Sequence, residues 1–94
     1  MIFRKRASAE LRAIGDFTEA RWGTRQASVY ADELRARIAS LREFALRFPE
    51  FGPERPGLRK MRCGSHVVVY MADDKTVVIV RIIHESRDFK ARLR

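Results

Sequence analysis

The chain has 94 residues, of which 46% are hydrophobic and 34% are charged, and its formal net charge is +8. This length predicts one small domain over residues 1–94, and this composition excludes an intrinsically disordered chain. The longest apolar runs are strand length, well below the roughly 20 residues of a membrane-spanning helix. One cysteine and two separated histidines predict no disulfide, no metal site and no cofactor. With no apolar leader segment and a lone thiol, we expect a cytoplasmic protein without membrane contact.

Basic residues are distributed unevenly along the chain. Residues 1–54 contain 10 Lys and Arg against 8 Asp and Glu, whereas residues 55–94 contain 10 against 4. A basic half indicates an anionic partner, either a nucleic acid or an acidic protein. The arginine content of a GC-rich genome would give the same excess, so charge alone leaves the partner open.

The first half of the chain predicts a short strand followed by two helices. The strand covers the opening MIFRKR. Ser8 is expected to cap the first helix, with Glu10 in its first turn. Gly23 is typical of the position after a helix end, and Thr24 is expected to cap the second helix, which Pro49 ends. Because so few residues join them, the helices should form an antiparallel hairpin. The apolar stripes comprise Leu11, Ile14, Phe17, Thr18 and Trp22 in the first helix, and Ala27, Tyr30, Ala31, Leu34, Ile38, Leu41, Ala45 and Phe48 in the second.

The second half predicts three strands after a proline-rich loop, PEFGPERPG. The strands are LRKMRC, HVVVYMA and TVVIVRIIH, separated by Gly64-Ser65 and by Asp73-Asp74. Such short connections predict an antiparallel meander. The fold class is therefore α+β, in the order β-α-α-β-β-β, with the helical hairpin on one face of the sheet. The other face should be exposed, which makes it a candidate binding surface.

Two histidines raise the possibility of acid–base chemistry. His66 and His84 resemble the base and acid that a metal-free ribonuclease needs. A turn centred on Asp73-Asp74 would bring His66 near Arg81 and leave His84 towards Cys63, so the two histidines need not meet. Nearby cations favour a lowered thiol pKa at Cys63, but no base is evident beside it. These residues are therefore expected to have structural roles.

The stretch GLRKMR concentrates positive charge on the first strand of the meander. Arg59, Lys60 and Arg62 would put charge on both faces of the sheet unless this strand lies at an edge. Basic residues on an edge strand also protect it against aggregation. The spacing therefore leaves a binding role and a protective role equally open.

Nearly the whole chain, from about residue 7 to 88, resembles one known family. The stretches AELRAIGDFTEARWGTRQASVYADELRARIASL and PGLRKMRCGSHVVVYMADDKTVVIVRIIHESRD are similar to the ParE toxins of type II toxin–antitoxin systems, within the ParE/RelE superfamily. The elements that carry the resemblance are Leu11, Ile14, Trp22-Gly23, Ala27, Tyr30, Leu34, Gly57-Leu58-Arg59, Ser65-His66, Tyr70, Arg81-Ile82-Ile83-His84 and Asp88. The resemblance implies a helical hairpin on an antiparallel sheet, as the residues themselves predict.

The resemblance also implies a function. It predicts a bacterial toxin that inhibits DNA gyrase by binding and trapping its DNA-cleavage state. A ParD-like acidic antitoxin would neutralise it by folding over its surface. Operator DNA would be contacted only indirectly, through the antitoxin. The residues predicted to bind the target or the antitoxin are Arg59, Lys60, Arg62, Arg81, His84, Arg87 and Asp88. We expect charge reversal at Arg81 or Arg87 to weaken toxicity without unfolding the domain.

The RelE branch of the superfamily supplies the main alternative, a ribosome-dependent mRNA endonuclease. Lys60 and Arg62 could take the place of the basic residues on its central strands. At its end, however, this chain reads ESRDFKARLR, where Arg87 is displaced from the nuclease pattern and Phe89 has no hydroxyl for proton transfer. The sequence therefore predicts a binding protein rather than an enzyme. A non-toxic basic binding module on the same scaffold remains a third interpretation.

Overall fold

The computed structural model describes residues 1–86, which contain two long helices packed on a mixed sheet. Arg87 and Asp88, two of the predicted binding residues, lie outside this range. Within it, neither helix is long and apolar enough to span a bilayer. The elements are β1 (Ile2–Phe3), α1 (Lys5–Trp22), α2 (Thr24–Phe44), a 3-10 turn (Ala45–Arg47), β2 (Arg59–Cys63), β3 (His66–Ala72) and β4 (Val77–His84).

The sheet has the strand order β1-β4-β3-β2. The pairs β2–β3 and β3–β4 are antiparallel, which confirms the predicted meander, while β1 runs parallel to β4. The basic strand β2 therefore lies at an edge. Some backbone groups on the outer side of β2 are bonded by other parts of the chain. Glu50 forms a bridge with Arg59, and the carbonyl oxygen of Pro49 accepts the N–H of Lys60. The side chain of Arg37 donates to the carbonyl oxygen of Arg62.

The helical hairpin turns at Gly23, as predicted, but its caps differ from the expected ones. Gly23 has a φ of 89°, which favours glycine, and its N–H donates to the carbonyl oxygen of Glu19. α1 begins at Lys5 without a side-chain cap, because the N–H of Arg4 bonds to the carbonyl oxygen of Ile79 and the chain passes directly from β1 into the helix. The predicted caps at Ser8 and Thr24 are therefore wrong, and Glu10 lies beyond the first turn.

The main core lies between the hairpin and one face of the sheet. Leu34, Ile38 and Leu41 of α2 pack against the strands, and the buried hydroxyl of Tyr70 donates to the carbonyl oxygen of Ala45. The opposite face is not left open, contrary to expectation. A second apolar cluster forms there, in which the loop residues Phe51 and Leu58 cover part of the sheet; the buried members are Val67, Val69 and Ile83. The loop thus removes from water part of the face expected to bind a partner.

The register between β3 and β4 differs from the one predicted, and this changes which residues meet. Ala72 pairs with Val77, because Asp73 accepts the N–H groups of Lys75 and Thr76 and closes a wider turn. An irregularity between Val69 and Tyr70 shifts the register once more. His66 consequently pairs with His84 rather than with Arg81. The predicted register, which put His66 near Arg81 and His84 towards Cys63, is therefore wrong, and the two histidines meet.

Candidate functional site

A cavity of about 880 Å³ opens between the hairpin and the ends of β3 and β4. We call it the aromatic groove; the residues that define it are Ile14, Phe17, Trp22, Tyr30, His66 and His84. Phe17 is 65% exposed and Trp22 is 63% exposed, although both were predicted to belong to the apolar stripe of the first helix. The guanidinium of Arg21 lies 5.6 Å from the ring centroid of Trp22. The groove therefore presents large aromatic side chains to solvent, a combination typical of binding sites.

A chain of polar groups crosses the wall of this groove. The hydroxyl of Tyr30 lies 2.6 Å from Nδ1 of His66 and accepts the N–H of Ser65. The rings of His66 and His84 meet edge to face, with centroids 5.3 Å apart, and Nδ1 of His84 lies 2.7 Å from the hydroxyl of Ser86. Burial, and then the neighbouring His84, lower the pKa of His66 below its ordinary 6.5, although Glu85 opposes this. His66 is therefore held as a neutral imidazole near neutral pH.

Glu10 fixes the end of β4 that carries His84. Its carboxylate accepts from Nε and Nη2 of Arg81, the closest contact being 2.7 Å, and also from the backbone N–H of Ile82 at 2.9 Å. Because β1 pairs with β4 only at Val78 and Ile79, this carboxylate takes the role that a longer β1 would have had. The side chain of Arg81 is 6% exposed and that of Glu10 is 22% exposed. The pair is thus a largely buried structural contact.

The lone thiol does not behave as the nearby cations suggested. Cys63 is buried on the helix side of β2, within the main core. Burial raises its thiol pKa, and the opposing effect of Arg37 is smaller. Lys60 and Arg62, the cations nearest to Cys63 in sequence, do not lower its pKa, and a lowered thiol pKa is not found. The thiol packs as a small apolar group.

The predicted binding residues that the structure describes do not form one patch. Arg59 is tied to the loop before β2, donating to the carbonyl oxygen of Phe48 at 2.7 Å, and Lys60 lies over the ring of Phe51. Arg62 is at the opposite end of the strand, 71% exposed, and pairs with Glu85 at 3.4 Å. His84 is exposed and lines the aromatic groove, whereas Arg81 is buried.

Sequence reasoning missed the structural role of Glu10. The signal was present, because Glu10, Ile14 and Thr18 recur every four residues and so share one face of α1. An acid on the apolar face of a helix needs a buried cation or several hydrogen-bond donors. Arg81 is the charged residue within the otherwise apolar stretch VVIVRII of the last strand. A buried acid and a buried cation that are both out of place in apolar surroundings would have predicted the Glu10–Arg81 contact.

The family assignment follows from comparison of this chain and fold with known proteins. A family model described as the ParE toxin of the type II toxin–antitoxin system parDE matches residues 1–89. The chain belongs to the ParE toxin family. It is 40% identical over 93 residues to the toxin ParE1 of Caulobacter vibrioides, covering 95% of this chain and 92% of that protein. It is 36% identical over 92 residues to the toxin ParE1 of Mycobacterium tuberculosis, covering 93% and 90% respectively.

A ParE protein of Escherichia coli supports the same assignment, and a solved structure supports the fold. The Escherichia coli toxin ParE is 32% identical over 93 residues, covering 98% of this chain and 90% of that protein. A chain of the chromosomal ParDE toxin–antitoxin system from P. aeruginosa superposes with a TM-score of 0.73 and covers 87% of this chain and 90% of its own length. At 21% identity, that likeness supports the fold alone. The resemblance inferred from sequence is confirmed: this chain is a ParE-type toxin of a toxin–antitoxin system.

Proposed function

We propose that this ParE-type toxin inhibits DNA gyrase by binding the state in which gyrase has cleaved DNA, and that a ParD-like antitoxin neutralises it in the cytoplasm. The observation that carries the proposal is the aromatic groove, with Phe17 and Trp22 both more than half exposed. Covering two such side chains contributes about 2–4 kcal/mol each to binding, from roughly 25 cal/mol per Å² of apolar area. Trapping follows only if these contacts are stronger in the cleaved state than in the others.

The proposed mode of action needs no covalent chemistry from the toxin. The groove is pre-organised: the Glu10–Arg81 pair holds β4, and the Tyr30–His66 contact joins α2 to β3. A site that is already rigid loses less conformational entropy when it binds. His84 and Arg62, which are exposed near this end of the sheet, remain predicted contacts, as do Arg59, Lys60, Arg87 and Asp88. Arg81 would contribute by positioning β4.

A second candidate function is a metal-independent ribonuclease, and the observation that favours it is the His66–His84 pair. The register brings the rings to a centroid distance of 5.3 Å, with the hydroxyl of Tyr30 beside them. A neutral His66 could accept the proton of an attacking hydroxyl, and the His84 ring lies where a proton donor to the leaving group would be needed. Of the cations near this pair, Arg81 is engaged by Glu10 and Arg62 by Glu85, and Arg21 lies over the ring of Trp22. This balance favours the binding function.

The test of gyrase inhibition is a supercoiling assay with purified gyrase, ATP and relaxed plasmid. The wild-type toxin should reduce supercoiling and accumulate protein-linked DNA breaks. The double variant Phe17→Ala/Trp22→Ala should lose most of this effect. Its matched control is Val29→Ala/Leu46→Ala, which removes two side chains that are 53% and 68% exposed but do not line the groove. Equal inhibition by both double variants would show that the groove does not contact the target.

A parallel assay separates the two candidate functions. Ribosomes translating a defined mRNA are incubated with the wild-type toxin and with His66→Gln/His84→Gln. Cleavage that requires both histidines, together with no effect on gyrase, would overturn the binding function in favour of the ribonuclease. A protein that is inactive in both assays and does not slow bacterial growth would correspond to the non-toxic binding module.

A further inference from the structure

The aromatic groove exposes two aromatic rings beside a cation. Phe17 and Trp22 are both more than half exposed, and they are five residues apart on α1, which is about 7.5 Å along the helix axis. Arg21, whose guanidinium lies over the ring of Trp22, belongs to the same lining. The cavity of about 880 Å³ is within the roughly 300–1,000 Å³ of pockets that hold small ligands. Exposed rings and a cation in one concave surface are typical of sites that stack nucleobases.

The charges around these rings favour an anionic ligand. The charged residues that line the groove are Glu10, Arg21 and Arg81. The carboxylate of Glu10 is already neutralised, because it pairs with Arg81. Arg21 forms no ion pair with any other residue in 1–86, and the whole chain has a net charge of +8. A nucleotide strand would therefore meet attraction for its phosphates beside surfaces for its bases.

Hydrogen-bonding groups among the rings suit the edges of a base. Nδ1 of His66 lies against the hydroxyl of Tyr30, and Nδ1 of His84 against that of Ser86, whereas Nε2 of each imidazole has no hydrogen-bond partner among the described residues. No buried side-chain nitrogen in that range lacks a partner, so Nε2 of the half-buried His66 must be accessible to solvent. Gln26 also lines the groove, and its amide offers both donors and an acceptor to a base edge.

We propose that the aromatic groove binds the unstacked bases of a single-stranded DNA end. This inference rests on the proposed function and names the part of the cleaved gyrase complex that the groove contacts. In an intact duplex each base is covered by its neighbours on both sides, so its faces are closed to the rings of the toxin. A strand break leaves bases with an uncovered face. The groove therefore has its ligand only after cleavage, and this supplies the differential affinity that trapping requires.

The experiment measures the binding of the full-length toxin to a short oligothymidine, to the same strand in a duplex with oligodeoxyadenosine, and to thymidine monophosphate. Trp22 is the single tryptophan of the chain, so its fluorescence reports whether a ligand reaches the groove. The anisotropy of a labelled oligonucleotide gives the affinity. The single strand should quench Trp22 and should bind about tenfold or more tightly than either the duplex or the monophosphate.

Substitutions of Phe17 distinguish base stacking from a simple apolar contact and leave the Trp22 reporter in place. Phe17→Leu keeps an apolar side chain but removes the aromatic face, so it should bind oligothymidine about tenfold more weakly; Phe17→Tyr, which keeps the ring, should bind more tightly than Phe17→Leu. The matched control is Phe44→Leu. Phe44 is also exposed and also has a guanidinium over its ring, that of Arg47 at 4.5 Å, but it does not line the groove. Thermal unfolding shows that each variant is folded.

The supercoiling assay relates this binding to gyrase. Phe17→Leu should accumulate fewer protein-linked DNA breaks than Phe44→Leu. If the wild-type toxin inhibits gyrase but binds the single strand no more tightly than the duplex, this inference alone is overturned, and the groove contacts the protein part of the complex. The same conclusion follows if Phe17→Leu and Phe44→Leu bind oligothymidine equally well.

Two further outcomes concern the source of the base. If the monophosphate binds as tightly as oligothymidine, the ligand is a free nucleotide and the DNA end is overturned. Tighter binding of oligouridine than of oligothymidine would assign the groove to RNA and overturn it likewise. Binding of the single strand without any inhibition of gyrase would overturn the proposed function, and the DNA end of the cleaved gyrase complex with it.

Discussion

Removal of the Glu10 carboxylate should destabilise this toxin far more than the loss of an ordinary helix-surface acid, because its side chain is only 22% exposed. In Glu10→Ala, the guanidinium of Arg81 loses its carboxylate partner in an environment where that side chain is 6% exposed, and the N–H of Ile82 loses its acceptor. Removing one partner of a buried ion pair costs about 3–5 kcal/mol, and the partial exposure of Glu10 reduces this to about 3 kcal/mol. A chain of this size has a free energy of unfolding of about 5–14 kcal/mol. Reversal of Arg81 to Glu should lower the free energy of unfolding at least as much, because two carboxylates would then face each other in a largely buried site, so part of any loss of toxicity in that variant would reflect lower stability.

Urea unfolding followed by circular dichroism measures this effect. With an m-value of about 1.2 kcal/mol per M, a loss of 3 kcal/mol lowers the urea midpoint by about 2.5 M. The urea midpoint of Glu10→Gln should fall between those of the wild type and Glu10→Ala, because the amide keeps one acceptor but turns an N–H₂ group towards Arg81. The control is Glu19→Ala, an exposed acid on the same helix whose loss should change the free energy of unfolding by less than about 0.5 kcal/mol. A shift in Glu10→Ala as small as that in Glu19→Ala would refute a structural role for the carboxylate.

Two further predictions concern His66 and Gly64, which both lie beside the ring of Tyr30. Because the pKa of His66 is lowered in the folded protein, the unfolded chain binds a proton more readily, so the free energy of unfolding should decrease as pH falls below about 6.5. Urea midpoints at pH 7.5 and 5.5 measure this slope; His66→Gln should flatten it, and an unchanged slope would assign it to another group. Gly64 has a φ of 58°, and a Cβ there would lie 2.8 Å from Tyr30, so Gly64→Ala should lower the unfolding free energy by about 2 kcal/mol or more. Gly57→Ala, with a φ of 86° and no atom within 4 Å of its Cβ, should show the backbone strain alone; equal losses would contradict the contact with Tyr30.

The sequence predicted the fold well where local pattern determines structure. The long stripe of α2 and the strand HVVVYMA both follow from periodicity, and the observed β3 has the bounds that were predicted. The register of β3 with β4 was not predictable in the same way, because it depends on the side chain of Asp73 and on an irregularity at Val69 and Tyr70. Periodicity carries no information about either. The observed pairing register differs from the predicted one by two residues at the turn and by one more at the irregularity, and this places His84 opposite His66.

The candidate site was harder to predict for a related reason. Phe17 and Trp22 fit the apolar stripe of α1, and their spacing cannot distinguish a side chain that faces the core from one that faces a partner. Only the positions of β3 and β4 leave them uncovered. Conversely, the basic residues of β2 were interpreted from charge alone, and the structure gives them different neighbours: Glu50 for Arg59, Phe51 for Lys60 and Glu85 for Arg62. Their roles in binding stay predictions.

Backbone groups of β2 and β4 are bonded from within the chain, and this limits how a partner strand can attach to the sheet. Beyond the short β1, the carboxylate of Glu10 holds the N–H of Ile82 on β4; at the opposite edge, the segment around Glu50 and the side chain of Arg37 bond to β2. A foreign strand that paired with the same backbone groups would have to displace these contacts. A partner that binds through side chains meets no such competition. Because side chains can be exchanged singly without altering the scaffold, this fold can change its partner choice while keeping its backbone.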